Sequence, residues 1–211
     1  MVVVTALVLS LLVKTFLVQA FVIPSESMHD TLVEGDRILV SELTPGPFDL
    51  QRGDVVVFAD PGGWLDPPVE EPRGPVVEGL VAALAFVGVL PQDSGQHLVK
   101  RLIGLPGDHV ACTPGGPTTV NGVALDESYL AAGADPCEDP FDVVVPAGAL
   151  WVEGDNRQHS GDSRRHLGEP GGGMVPVDDV VGRAVVTAWP LDRLAWLSRH
   201  GDVFAAVPTA G

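Results

Sequence analysis

His97-Leu98-Val99-Lys100-Arg101-Leu102-Ile103-Gly104-Leu105-Pro106-Gly107-Asp108 reads as a strand stopped by a turn. Its first seven residues are apolar or long-stemmed, and Gly-Leu-Pro-Gly-Asp then supplies turn formers. Alternation puts Lys100 on one face with Leu98 and Leu102, and Arg101 on the other with Val99 and Ile103. Outward from this stretch the same pattern recurs. Arg37 to Val40, Asp54 to Phe58, Val143 to Val145, Ala149 to Val152 and Val180 to Trp189 are short apolar runs bounded by Gly, Pro or Asp. Asn121-Gly122, between Thr119-Val120 and Val123, is a two-residue hairpin signal. With 25 Gly and 19 Pro in 211 residues, the chain reads as mainly β, one globular domain with many short strands.

Two stretches interrupt the pattern. Residues 60–96 are rich in Pro and Gly but contain the apolar run Val76 to Leu90, read as a surface or interfacial helix. Residues 113–140 carry the hairpin, have a cysteine at each border, and read as a subdomain. The C-terminal piece, Leu191 to Gly211, mixes Leu, Trp and Phe with Arg and His, and reads as a membrane-surface or loosely ordered tail.

The N-terminal stretch MVVVTALVLSLLVKTFLVQAFVI, Met1 to Ile23, is almost wholly apolar. As a helix it would span roughly 34 Å, enough to cross a bilayer core. A cleavable targeting peptide is the competing reading, since Val18-Gln19-Ala20 loosely matches a small-x-small site. The apolar run continues past Ala20 and lacks a basic start, which favours a retained anchor. Charge does not orient it, because Lys14 and Arg37 are the first basic residues.

The formal net charge is −16. Phosphate binding needs clustered Lys and Arg, so nucleic acid is excluded as a partner. Only two lysines occur, Lys14 and Lys100, which makes a lysine inside an apolar strand conspicuous. Cys112 and Cys137 lie in no CxxC or Cys/His cluster, so no metal site is expected. They form either one disulfide or two free thiols.

Three clusters carry chemistry. Pro24-Ser25-Glu26-Ser27-Met28 follows the apolar segment directly. A serine hydroxyl is a poor nucleophile until a base takes its proton. Lysine serves as that base only when burial lowers its pKa from about 10.4. Lys100, between two inward leucines, meets that requirement; its other reading is a lysine whose head reaches solvent at a sheet edge. The third cluster, Gly154-Asp155-Asn156-Arg157-Gln158-His159-Ser160-Gly161-Asp162-Ser163-Arg164, is a polar loop after the strand Leu150 to Val152. It is either a set of turn caps or a rigid frame that orients an amine, with Asp162 and Arg164 paired.

An apolar anchor, then Pro-Ser-x-Ser-Met, then Lys-Arg-x-x-Gly-Leu-Pro-Gly-Asp, then Gly-Asp-Asn-Arg-x-x-Ser-x-Asp-Ser-Arg resembles, in that order, the bacterial type I signal peptidases, in an actinobacterial-like form. The resemblance covers roughly residues 10–58, 97–110 and 150–190. It implies a coiled antiparallel β-sheet catalytic core with a smaller inserted β subdomain, behind one N-terminal transmembrane helix. The corresponding division is an anchor at 1–23, core at 24–111 with the insertion 60–96, a β subdomain at 112–145, core at 146–190 and a tail at 191–211. The implied catalytic pair is Ser27 as nucleophile and Lys100 as general base. Ser25 and the Ser27 backbone N–H would form the oxyanion hole, Ser160 would hydrogen-bond the Lys100 amine, and Asp155, Asn156, Arg157, Asp162 and Arg164 would be structural. Met28 would be an apolar residue near the substrate cleft or the membrane. The resemblance also implies removal of signal peptides from secreted preproteins after small-x-small sites, without a cofactor. The catalytic domain would stand on the extracytoplasmic face of the cell membrane, in contact with lipid and within reach of a secretion translocon.

Two departures stand out. Asp30 occupies a place where the family often has Pro, which should loosen the turn after Ser27. Gln158-His159 replaces a more usual Asp-Asn pair. A self-cleaving Ser/Lys protease of the SOS-repressor type would need a DNA-binding region and a soluble chain, which the acidic charge and the apolar segment argue against. A non-enzymatic anchored β-domain would leave the order of the three motifs unexplained.

Overall fold

In the computed structural model, residues 17–65 and 97–209 are described. The apolar run Val76 to Leu90 lies outside them. Two antiparallel sheets make up the fold. The larger contains β1 (Val18–Val22), β2 (Arg37–Ser41), β3 (Val55–Ala59), β4 (His97–Gly104), β9 (Ala149–Glu153), β10 (Val175–Pro176), β11 (Val180–Trp189) and β12 (Ala195–Trp196). Its strand order is β1-β2-β11-β3-β4-β9-β10, with β12 added on β11. The smaller contains β5 (His109–Cys112), β6 (Thr119–Val120), β7 (Val123–Ala124) and β8 (Phe141–Val144), in the order β7-β6-β5-β8. The hairpin between β6 and β7 turns at Asn121 (φ 50°) and Gly122 (φ 78°), the two left-handed positions that an Asn-Gly hairpin turn requires.

Each face of β4 feeds a different core. Leu98 and Leu102 pack with Val56, Phe58, Leu150 and Val152. Val99 packs with Phe21, Ile23, Met28, Leu32, Val55 and Val57. Ile103 joins Trp151 in a third cluster with Val110, Cys112, Phe141, Phe204 and Val207, which binds the small sheet to the large one. The alternation expected for β4 is therefore the one observed. Cys112 and Cys137 form a disulfide.

Two expectations are corrected. The helix expected over Met1–Ile23 does not reach Ile23: Val18–Val22 is a strand, paired antiparallel with Arg37–Ser41. A continuous apolar run does not distinguish helix from strand, and here a partner strand with unsatisfied backbone groups decides. The remainder of that expected helix lies outside the described residues, among which no helix is long and apolar enough to cross a membrane. The C-terminal piece is not loose up to Pro208. Phe204 and Val207 are buried, Arg101 donates to Ser198 O (3.3 Å), and Pro208 O accepts from Arg52 and Asn121.

Candidate functional site

Ser27 sits in a single 3-10 turn, Glu26–Met28, immediately after β1 and Ile23-Pro24. The turn is pinned from several sides. Asn156 N donates to Ser27 O (3.1 Å), and Asn156 Nδ2 donates to Glu26 O (3.0 Å). Leu32 N donates back to Met28 O (2.7 Å). Ser27 is buried, whereas Ser25 is exposed, and their hydroxyls lie 3.3 Å apart. Asp30 does not loosen the turn as expected. It adopts φ 69°, a left-handed conformation that Asp tolerates and Pro does not. Its Oδ2 accepts from Ala132 N (2.8 Å), tying the turn to residues of the disulfide-closed loop.

Lys100, at the centre of β4, is 3% exposed. Its Nζ donates to Ser27 Oγ (2.9 Å) and to Val99 O (3.1 Å). Burial lowers its pKa from 10.5 to about 8, and the Asp162 and Asp155 charges oppose that shift. The chemical consequence is large. At pH 7 an amine with a pKa of 8 is neutral in about one molecule in ten, against roughly one in three thousand for an unperturbed lysine.

The polar loop that follows β9 frames this pair. Asp162 accepts from Gly154 N (2.9 Å) and makes a two-toothed pair with Arg164 Nε (2.9 Å) and Nη2 (2.8 Å). Asp155 makes a two-toothed pair with Arg101 (2.8 and 2.6 Å) and accepts from Thr31 Oγ1 (2.6 Å). Arg157 Nε donates to Gly154 O (3.1 Å), and its guanidinium contacts Glu127, Glu153 and Thr118. Of these residues, Asn156 touches the Ser27 turn, and the charges of Asp155 and Asp162 act on Lys100.

Ser160 departs from its expected contact. Lys100 Nζ makes its two hydrogen bonds with Ser27 Oγ and Val99 O. Ser160 Oγ is buried without a hydrogen bond of good geometry among the described residues. It still lies close enough to Asp162 to help keep that carboxylate ionised. Its position is set by Gly154. A Cβ on Gly154 would lie 2.3 Å from Ser160 Oγ and 2.4 Å from Ser27 O, so the loop approaches the Ser27 carbonyl only because residue 154 has no side chain.

Several residues of this frame carry no motif signal. Thr31 lies just past the first motif, and its contacts with Asp155 and Arg101 are tertiary. Glu127 and Tyr129 come from the disulfide-closed loop: Glu127 pairs with Arg157, and the Tyr129 ring lies under the Arg101 guanidinium at 4.2 Å. Glu153 ends the strand Ala149–Glu153 and is fully buried. Its burial raises its pKa to about 7, against the pull of Arg157 and Arg164. A carboxylate ending a buried apolar strand is the one sequence signal that could have flagged it.

The arrangement holds a buried serine hydroxyl, an amine of lowered pKa in contact with it, and a second hydroxyl beside it, which is the equipment for nucleophilic attack on a carbonyl. The chain is also similar to known proteins. The family model described as signal peptidase, peptidase S26, matches residues 1–189. A probable signal peptidase I of Mycobacterium leprae is 40% identical over 207 residues, covering 85% of this chain and 71% of that protein. A signal peptidase I of Mycobacterium tuberculosis is 39% identical, covering 90% and 71%. A crystal structure of a signal peptidase I from Enterococcus faecalis aligns with 27% identity and a TM-score of 0.42, covering 64% of this chain and 97% of that one. On the match of the family model and of these relatives, the chain belongs to the signal peptidase family, peptidase S26.

Proposed function

We propose that the chain is a membrane-bound serine endopeptidase that removes N-terminal signal peptides from secreted preproteins, cutting after small-x-small, Ala-x-Ala-like sites by a Ser/Lys mechanism. The observation that carries this reading is the 2.9 Å contact between Lys100 Nζ and Ser27 Oγ in a buried setting. Neutral Lys100 takes the Ser27 proton as Oγ attacks the scissile carbonyl. The Ser27 N–H and the Ser25 hydroxyl receive the developing oxyanion; one such donor is typically worth about 3–4 kcal/mol. The Lys100 ammonium then protonates the leaving amine. Lys100 next activates water to hydrolyse the Ser27 ester. Val99 O holds the amine in place, and the Asp162 and Asp155 charges favour the ammonium that forms.

The surroundings support an extended peptide as substrate. β1 is an edge strand, paired with β2 alone among the described residues, and it runs directly into Ser25 and Ser27. An added substrate strand would find unpaired backbone groups there. Ile23, Met28 and Val99 pack together beside the nucleophile. A substrate side chain set against these bulky residues would have to be small, which accords with a small-x-small preference. The apolar residues ahead of β1 would hold the domain at the lipid surface, on the extracytoplasmic face, where a preprotein leaves the translocon. The test is cleavage of a model preprotein by the detergent-solubilised full chain beside Ser27→Ala, with the new N-terminus read by mass spectrometry. Cleavage after small-x-small, lost in Ser27→Ala, is expected. Cleavage retained in Ser27→Ala, or at unrelated sites, would overturn the reading.

A further inference from the structure

The peptide unit between Glu26 and Ser27 is one rigid plane, with the Glu26 carbonyl at one end and the Ser27 N–H at the other. That N–H is the backbone donor to the oxyanion in the Ser/Lys reading, on which this inference rests. The 3-10 turn closes with His29 N donating to Glu26 O (3.0 Å). The Ser27 N–H lies ahead of that bond and has no acceptor within the turn. Its direction is therefore set from the carbonyl end of the plane.

Glu26 O takes a second donor there. Asn156 Nδ2 donates to it (3.0 Å), while Asn156 N donates to Ser27 O (3.1 Å). The two peptide planes that flank the Ser27 Cα are thus both held by residue 156. Two donors on one carbonyl also polarise its amide and make the N–H at the other end a stronger donor. Asn156 is itself held firmly. Its side chain is half-buried, but its neighbours Asp155 and Arg157 are fully buried. Asp155 pairs with Arg101, and Arg157 with Glu127 and Glu153, in a buried ion cluster. Asn156 O accepts from His159 N (3.0 Å). With a proton on Nδ1, His159 also donates to Asn156 Oδ1 (3.3 Å), which leaves Nδ2 facing Glu26 O.

We propose that Asn156 is a positioning residue for oxyanion stabilisation: through Glu26 O it aims and polarises the Ser27 N–H where negative charge develops. In the step it serves, Ser27 Oγ forms a bond to the scissile carbonyl carbon. The carbonyl π pair moves onto its oxygen, and the Ser27 proton passes to Lys100. Asn156 touches none of the reacting atoms. Its contribution grows as the oxyanion forms, so its loss should appear in the transition state and not in ground-state binding.

The experiment compares Asn156→Ala and the equal-sized Asn156→Asp with wild type, as solubilised full chains whose fold is checked by circular dichroism. Both variants keep the backbone N–H that holds Ser27 O and lose the Nδ2 donor. On a small-x-small peptide, kcat should fall on the order of 30-fold, short of the roughly 10²–10³ that follows outright loss of an oxyanion donor. KM should stay within about twofold. A peptide boronate ending in Ala gives a tetrahedral adduct: the Ser27 Oγ lone pair forms the bond to boron and the Ser27 proton passes to Lys100. Its affinity should drop by the same factor as kcat. The cleaved peptide acid, which has no tetrahedral centre, should bind as it does to wild type. The acid limb of kcat/KM should not move, because Lys100 keeps its contacts. Unchanged kcat in either folded variant overturns the proposal. So does a loss shared by KM and product binding, or a displaced acid limb, since each marks a turn that has shifted as a whole. Should Asn156→Ala fail to fold, Asn156→Asp carries the test. Failure of the Ser/Lys reading looks different: wild type would then bind the boronate no better than the peptide acid, and Ser27→Ala would bind it as wild type does.

Discussion

Lys100 Nζ donates to Ser27 Oγ across 2.9 Å, although 73 positions separate the two residues. Both are held by backbone. Lys100 stands in the interior of β4, between β3 and β9, while Ser27 is fixed through its own carbonyl by Asn156 N. Neither side chain reaches the other through a mobile loop, so the pair is preorganised rather than assembled by substrate.

The buried lysine has a thermodynamic consequence. Its folded pKa, about 8, lies below the unfolded value of 10.5, so between those values the unfolded chain binds more protons and stability rises with pH. Below pH 8 the full cost is present, about 3 kcal/mol at 1.36 kcal/mol per unit. Lys100→Met should therefore be inactive yet more stable than wild type at pH 7 by up to about 3 kcal/mol. The gap should close towards pH 10.5. Denaturant midpoints at the two pH values measure it, and a Met variant less stable at pH 7 would contradict the assignment.

The turn after Ser27 depends on a left-handed residue. Asp30→Pro demands φ near −65° where the chain has 69°, and should cost about 2 kcal/mol or more with loss of peptide cleavage. Asp30→Asn tolerates the same φ and retains a carbonyl acceptor for Ala132 N. It should lie within about 1 kcal/mol of wild type in a thermal melt.

Gly154 tests how closely the polar loop must approach. Its φ lies outside the left-handed range, so alanine is permitted by the backbone and only the space is lacking. Gly154→Ala must push apart Ser27 O and Ser160 Oγ. A shift of that size should lower kcat/KM on the order of 100-fold, with destabilisation of about 1–3 kcal/mol. Steady-state kinetics on a folded variant checks it; near wild-type kcat/KM would show that the loop has slack.

The disulfide closes a loop that supplies Glu127 and Tyr129 to the arginines behind the site. Reducing Cys112–Cys137, 25 residues apart, should lower stability by about 3 kcal/mol through loop-closure entropy. Unfolding with and without reductant measures this, and identical midpoints would mean that the loop is held by its ion pairs alone.

Much of this arrangement is legible in the sequence, and what is not has identifiable causes. The strands at 97–104 and 180–189 and the Asn121-Gly122 hairpin follow from alternation and turn chemistry, which are local. Ser27, Lys100 and the polar loop follow from motif order. β1 is hidden because Val18–Val22 continues an apolar run, and only its pairing with Arg37–Ser41 makes it a strand. The integration of the C-terminal piece is equally invisible, since Phe204 and Val207 gain meaning only against Trp151 and Phe141. The ion cluster is non-local throughout: Arg157 meets Glu127 from 30 residues away, and Arg101 meets Asp155 from 54. The motif order points Ser160 at Lys100, whereas its hydroxyl makes no hydrogen bond among the described residues and lies where the close approach at Gly154 puts it.

The central claim is that the Lys100 amine is the base for Ser27. It is tested most directly by turnover of a model preprotein by purified, solubilised wild type and Lys100→Ala, both shown to be folded by circular dichroism. Lys100→Ala should lose activity by a factor on the order of 10³ or more, the range of a general base. Turnover by folded Lys100→Ala within about tenfold of wild type would contradict it.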